Sequence, residues 1–175
     1  MYRRRKIGLR SSASHIKIYL AIISIFFLEM VLFNRMIIFG ARPDILLLTT
    51  LFFSFYFGAT RGIETGLICG LLKDLFSITN FGVATFSFAI IGFLAGLLRN
   101  KLARDSIVVQ FLVSNIAVYV FSVFYFLSGS MYGSQAPETA FWRITFYKGI
   151  YTGAAAPFLF FVMASVFKRE EIKNI

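Results

Sequence analysis

The alternation of apolar blocks with short breaks constrains this chain most. Across 175 residues, long apolar runs are interrupted only by brief segments carrying charge, Gly or Pro. A bilayer core about 30 Å thick is crossed by roughly 20 helical residues. The roughly 150 residues after the basic N-terminus therefore accommodate six short spans joined by tight loops, and leave no water-soluble domain of useful size. Composition points the same way. Hydrophobic residues make up 58% of the chain and charged residues 15%, against roughly 45–50% and about 25% in a soluble domain.

The expected fold is an all-α integral membrane protein, a six-span helical bundle. A basic segment, 1–16, precedes a single transmembrane domain, 17–167, and a charged tail, 168–175. The first span, 17–38, follows a stretch like a signal-peptide n-region but has no Ala-x-Ala-type exit, so it reads as retained. The remaining spans are expected at 45–57, 63–76, 83–98, 106–127 and 144–167, with a turn at 58–62 and the longest loop at 128–143. Pro43 and Asp44 suit the start of the second span, because Pro has no amide hydrogen to leave unpaired and Asp can cap free amides.

The net charge of +10 raises nucleic acid as a partner, and its distribution argues against that. Five Lys or Arg precede the first span and Lys17 opens it, Arg99, Lys101 and Arg104 share one loop, and Lys168, Arg169 and Lys173 lie in the tail. With six spans and a cytoplasmic N-terminus, thirteen Lys or Arg fall on the cytoplasmic side and five on the other. That is the positive-inside pattern, and it puts both termini in the cytoplasm. Five spans would move the basic loop outside. The charge count therefore supports six, and with six Tyr132 and Trp142 lie near the outer interface.

Residues for catalysis are sparse. His15 is the only histidine and Cys69 the only cysteine, so no metal cluster of workable spacing and no intrachain disulfide can form. No Gly-x-Ser-x-Gly elbow and no phosphate-binding Gly-rich loop occurs. The chain does not read as an enzyme, and no cofactor is expected. Glu29 is the deepest ionisable residue, either a relay for protons or ligand or an inward-facing group that fixes packing. Arg61 and Glu64 share a helix face and read as a surface pair. Lys148, one turn into the last span, is expected to snorkel outward.

Glycines carry more information. Gly58, Gly62, Gly66 and Gly70 recur every four residues and make a smooth stripe that lets two helix backbones approach in lipid. Gly92 and Gly96 repeat the spacing. Pro157 clashes with the carbonyl four residues back, that of Gly153, and is expected to mark a kink, for packing or as a hinge.

The segment Gly66-Leu-Ile-Cys-Gly70-Leu-Leu-Lys73-Asp74, followed by Gly82, resembles the MreD family of rod shape-determining membrane proteins. So does Pro43-Asp44 before a Leu-rich run. Lys73 departs from the apolar residue usual before the Asp. The resemblance implies a non-catalytic scaffold of the bacterial inner membrane, involved in cell shape and peptidoglycan synthesis. It implies an MreC-like partner, with the MreB filament, RodA and a penicillin-binding transpeptidase in the same elongation complex. It marks Pro43, Asp44, Gly66, Gly70, Asp74 and Gly82 as fold- or partner-critical, with Glu29, Arg42 and Pro157 as secondary candidates. Asp74 has three readings: an ion pair with Arg42, an acceptor of amides in the turn leading to Gly82, or part of an outer docking surface. The architecture is also similar to that of substrate-binding subunits of energy-coupling-factor transporters. The alternative function is therefore a solute-binding subunit for a vitamin, with an outer pocket lined by the 128–143 loop through Tyr132, Glu138 and Trp142.

Overall fold

The computed structural model describes residues 24, 42–77, 81–99, 101, 106–128 and 138–172, with side chains described through residue 165. Among these residues there are five helices and no strand: α1 (Ile45–Phe57), α2 (Ala59–Asp74), α3 (Val83–Leu98), α4 (Ile107–Leu127) and α5 (Glu138–Ile172). The expected first span, with Glu29 and Arg35, lies outside the described residues, as does Tyr132.

Helix α4 is long and apolar enough to cross a membrane; α1 and α3 are apolar but shorter. The outer faces of α2 to α5 are apolar, with Leu67, Phe86, Ile116 and Phe158 all strongly exposed. A water-soluble domain turns such side chains inward, whereas here they form the skin of the bundle.

Helix α1 is the axis of the bundle. Every residue from Ile45 to Phe55 is buried, and α1 touches each of the other four helices. At 13 residues it is only about 20 Å long, so neighbouring protein, rather than lipid, surrounds it. Its buried hydroxyls are satisfied within the helix: Thr49, Thr50 and Ser54 donate to the carbonyls of Ile45, Leu46 and Thr50 at 2.9, 3.1 and 2.6 Å. Around them pack Phe52, Phe53 and Phe55, with Phe88 from α3 and Phe160 from α5.

Helices α2 and α3 form the tightest pair. A Cβ added at Gly62, Gly66 or Gly70 would lie closer than 3.0 Å to backbone atoms of Gly92, Phe88 or Thr85 respectively. The glycine stripe is thus an antiparallel backbone-on-backbone contact within the molecule, met from the other side by Gly92 and Gly96. On α5 the buried face runs Thr145, Gly149, Thr152, Gly153, Ala156, Phe160 and Met163, a helical stripe against α1 and α4.

Three expectations about element boundaries are corrected. The 58–62 turn shrinks to Gly58, whose φ of 95° favours a residue without Cβ, and 59–62 already belong to α2. Residues 138–143, expected in the longest loop, form the first turns of α5. That helix also runs on through 168–172, the first residues of the expected tail. As expected of the 144–167 span, α5 continues as one helix across Pro157. The small residues before it are explained by neighbours, since a Cβ at Gly153 would strike Asn115 and Phe111 of α4.

Candidate functional site

At the end of the bundle where α1 begins and α2 ends, ionisable side chains meet below the surface. Asp44 caps α1: the Leu47 amide donates to its Oδ1 at 3.3 Å, as the sequence reading of Pro43-Asp44 expects. Pro43 itself is half-buried and stands before the cap, outside the helix. The Asp44 amide donates to Thr152 Oγ1 of α5 at 3.1 Å, which fastens the start of α1 to α5.

The other Asp44 oxygen, Oδ2, receives two ammoniums. Lys73, from the last turn of α2, forms an ion pair with it, and Lys148 of α5 approaches to 2.9 Å. Both ammoniums stand 4.8 Å from the centre of the Phe121 ring, and Lys73 lies 5.1 Å from that of Phe88. Such rings attract cations through their negative faces. Burial would push the Asp44 carboxyl up, but Lys148 and Lys73 more than offset this and hold it well below the usual carboxylate range. The sequence reading of Lys148 is corrected here: it reaches inward to Asp44 and does not snorkel. Lys73 serves Asp44, not the adjacent Asp74.

Asp74 ends α2 and is buried. Its Oδ1 accepts from the Ala84 amide at 3.1 Å. Its Oδ2 accepts from the Thr85 amide at 2.8 Å and from the Thr85 hydroxyl at 2.6 Å. These are the second and third residues of α3, whose N-cap, Gly82, has no side chain to offer. Asp74 is therefore a capping carboxylate supplied by the preceding helix. The expected pairing with Arg42 is replaced by these amides, and the exposed position needed for a docking role is absent, since Asp74 is only 2% exposed. Arg42 lies on the surface. Gly82 sits at φ 97° with open space where a Cβ would be, so backbone conformation, not crowding, selects glycine there. Elsewhere, Arg61 and Glu64 form the expected surface pair at 2.8 Å.

Between these charges and the neighbouring helices lies a cavity of about 390 Å³. Its wall includes Lys73, Lys148, Phe121, Ser122, Tyr125 and Phe141. Trp142, expected to line an outer pocket, instead packs on Phe141 and Phe126 with ring centres 5.4 and 5.9 Å apart. Among the described residues no cluster of three His, Cys, Asp or Glu could hold a metal.

The sequence reading did not bring Lys73 and Lys148 together with Asp44. Two signals were present: a lysine where an apolar residue is usual, and a lysine one turn inside an apolar span. Each charge needed a partner, but the partners lie 29 and 104 positions away in the chain.

An all-helical bundle with an apolar skin, a glycine-matched helix pair and a buried charge cluster defines a helical membrane protein. A family model described as rod shape-determining protein MreD matches residues 14–169, and the chain belongs to that family. No curated protein and no solved structure matches it.

Proposed function

We propose that this protein is a non-catalytic scaffold of the bacterial cell-elongation complex, spanning the inner membrane six times with both termini in the cytoplasm. In this reading its architecture is similar to that of the six-span substrate-binding subunits of energy-coupling-factor transporters, used for assembly in place of uptake. The observation that carries the reading is the family match over 14–169. The thirteen-to-five division of Lys and Arg supports the orientation. Helices matched backbone to backbone through glycines support a rigid body that holds partners in place.

The partners are an MreC-like protein and, through it, the MreB filament, RodA and a penicillin-binding transpeptidase. Pro43, Asp44, Gly66, Gly70, Asp74 and Gly82 act by fixing the fold on which those partners assemble. Depletion in a rod-shaped host should give round, wide cells with mislocalised wall synthesis, read by microscopy of labelled peptidoglycan. Cells of normal width that lose uptake of one vitamin would overturn the scaffold reading in favour of a solute-binding subunit.

A further inference from the structure

The cavity beside Asp44 gathers charged side chains from α1, α2 and α5. Four formal charges meet there and cancel in number, but they face different ways. Asp44 and Asp74 are 1% and 2% exposed and turn toward the starts of α1 and α3, where a helix N-terminus carries about half a positive charge. The Lys73 and Lys148 side chains are 27% and 22% exposed and line the cavity. Of the three N–H groups an ammonium carries, Lys73 directs one at Asp44 Oδ2, its one acceptor among the described residues. The cavity therefore meets both ammoniums, and Asp74, which shares its wall, keeps its oxygens on the amides and hydroxyl of α3.

The rest of the wall is apolar in character, with Phe76, Phe121, Tyr125 and Phe141. Phe76 of this wall and its chain neighbour Leu75 stand 59% and 60% exposed, and Phe81, two residues before Val83 of the wall, 68%. A cationic floor, aromatic sides and an apolar rim match an amphiphile with an anionic head. Taking about 30 Å³ for each water-sized group, 390 Å³ holds roughly a dozen non-hydrogen atoms, enough for a phosphoglycerol group but not for acyl chains. A free phosphate would gain nothing from the rim.

We propose that this cavity binds the phosphate-bearing headgroup of an anionic phospholipid, with the phosphate on Lys73 and Lys148 and the acyl chains leaving over Leu75, Phe76 and Phe81. Lysine serves phosphate as a compact point charge, and two of them converge here.

The test uses the full chain reconstituted in bilayers of equal phosphatidylglycerol and phosphatidylcholine, then extracted in mild detergent. Native mass spectrometry reads the retained lipid, and thermal unfolding reads the fold. Phosphatidylglycerol should be retained in preference to phosphatidylcholine. Lys148→Gln should lower that retention about tenfold, the effect of losing one charge-assisted hydrogen bond, and Lys148→Arg should preserve it. Ser77→Trp, which narrows the cavity and alters no charge, should lower it as well. Millimolar inorganic phosphate should leave it unchanged. Equal retention of the two lipids by the unaltered protein overturns the proposal, and so does undiminished phosphatidylglycerol on Ser77→Trp. Displacement of the lipid by inorganic phosphate would assign the site to a free anion, which also overturns it. Should Lys148→Gln fail to fold, the Ser77 variant and the phosphate competition still decide.

Discussion

A carboxylate at the C-terminus of its own helix meets partial negative charge, at a cost of about 0.3–1 kcal/mol. Asp74 avoids that penalty by capping the next helix, where the same charge is favourable. Removing an N-cap typically costs about 0.5–2 kcal/mol, so Asp74→Ala should destabilise the purified protein by that order, with Asp74→Asn milder because its amide oxygen still accepts. Thermal unfolding in detergent checks both. Arg42→Gln should add to either variant without coupling, because the Asp74 oxygens are held by the amides and hydroxyl of α3 and not by Arg42. Asp44 answers to different physics. Its removal leaves two lysines without their shared counter-charge, and breaking a buried pair costs about 3–5 kcal/mol. Asp44→Ala should therefore lower membrane abundance more than Lys73→Gln, after which Asp44 keeps Lys148. Immunoblots of membrane fractions rank the two, and the reverse order would mean that the cluster is not held by its charges.

The pairing of α2 with α3 joins sequence to architecture through glycine. Gly62, Gly66 and Gly70 set the distance between the helices, and Asp74, one turn beyond Gly70, thereby arrives at the first turn of α3. Gly66→Leu or Gly70→Leu would force the backbones apart. Overpacking costs about 1–3 kcal/mol, and between helices in lipid no hydrophobic force offsets it. Both variants should accumulate to lower levels in membranes and lose the Asp74 cap. Unchanged abundance and unfolding temperature in both would mean that the stripe does not carry the contact. This pair was legible from sequence because it is written in a local repeat. The starts of α1 and α3 were legible for the same reason, in Pro43-Asp44 and in Gly82. The start of α5 was not: Glu138-Thr-Ala-Phe-Trp-Arg143 is charged at both ends and stands at the margin of an apolar run, so a helix that extends beyond its apolar face resembles a loop. The ion pairs of Asp44 were illegible because they depend on which helices become neighbours, and charge spacing along the chain does not record that.

For the molecule as a whole, orientation is the property most open to measurement. Reporter fusions after Lys6, Arg104 and Lys173 should report cytoplasm, and one within 130–138 should report the outside. An exported Arg104 fusion would mean that α2 does not cross. The burial of α1 bears on how such a molecule is made. Ribosomes deliver the chain in order, and the central helix is delivered well before the last helix that packs on it. Asp44 emerges 29 residues ahead of Lys73 and 108 ahead of Thr152. At synthesis rates of about 5–20 residues per second, the nascent carboxylate waits roughly 5–20 s for its α5 partners. During that interval α2 and α3, the main neighbours of α1, follow it directly and can close on it first. The side of α1 that faces α5 is therefore completed last, when the final helix is translated.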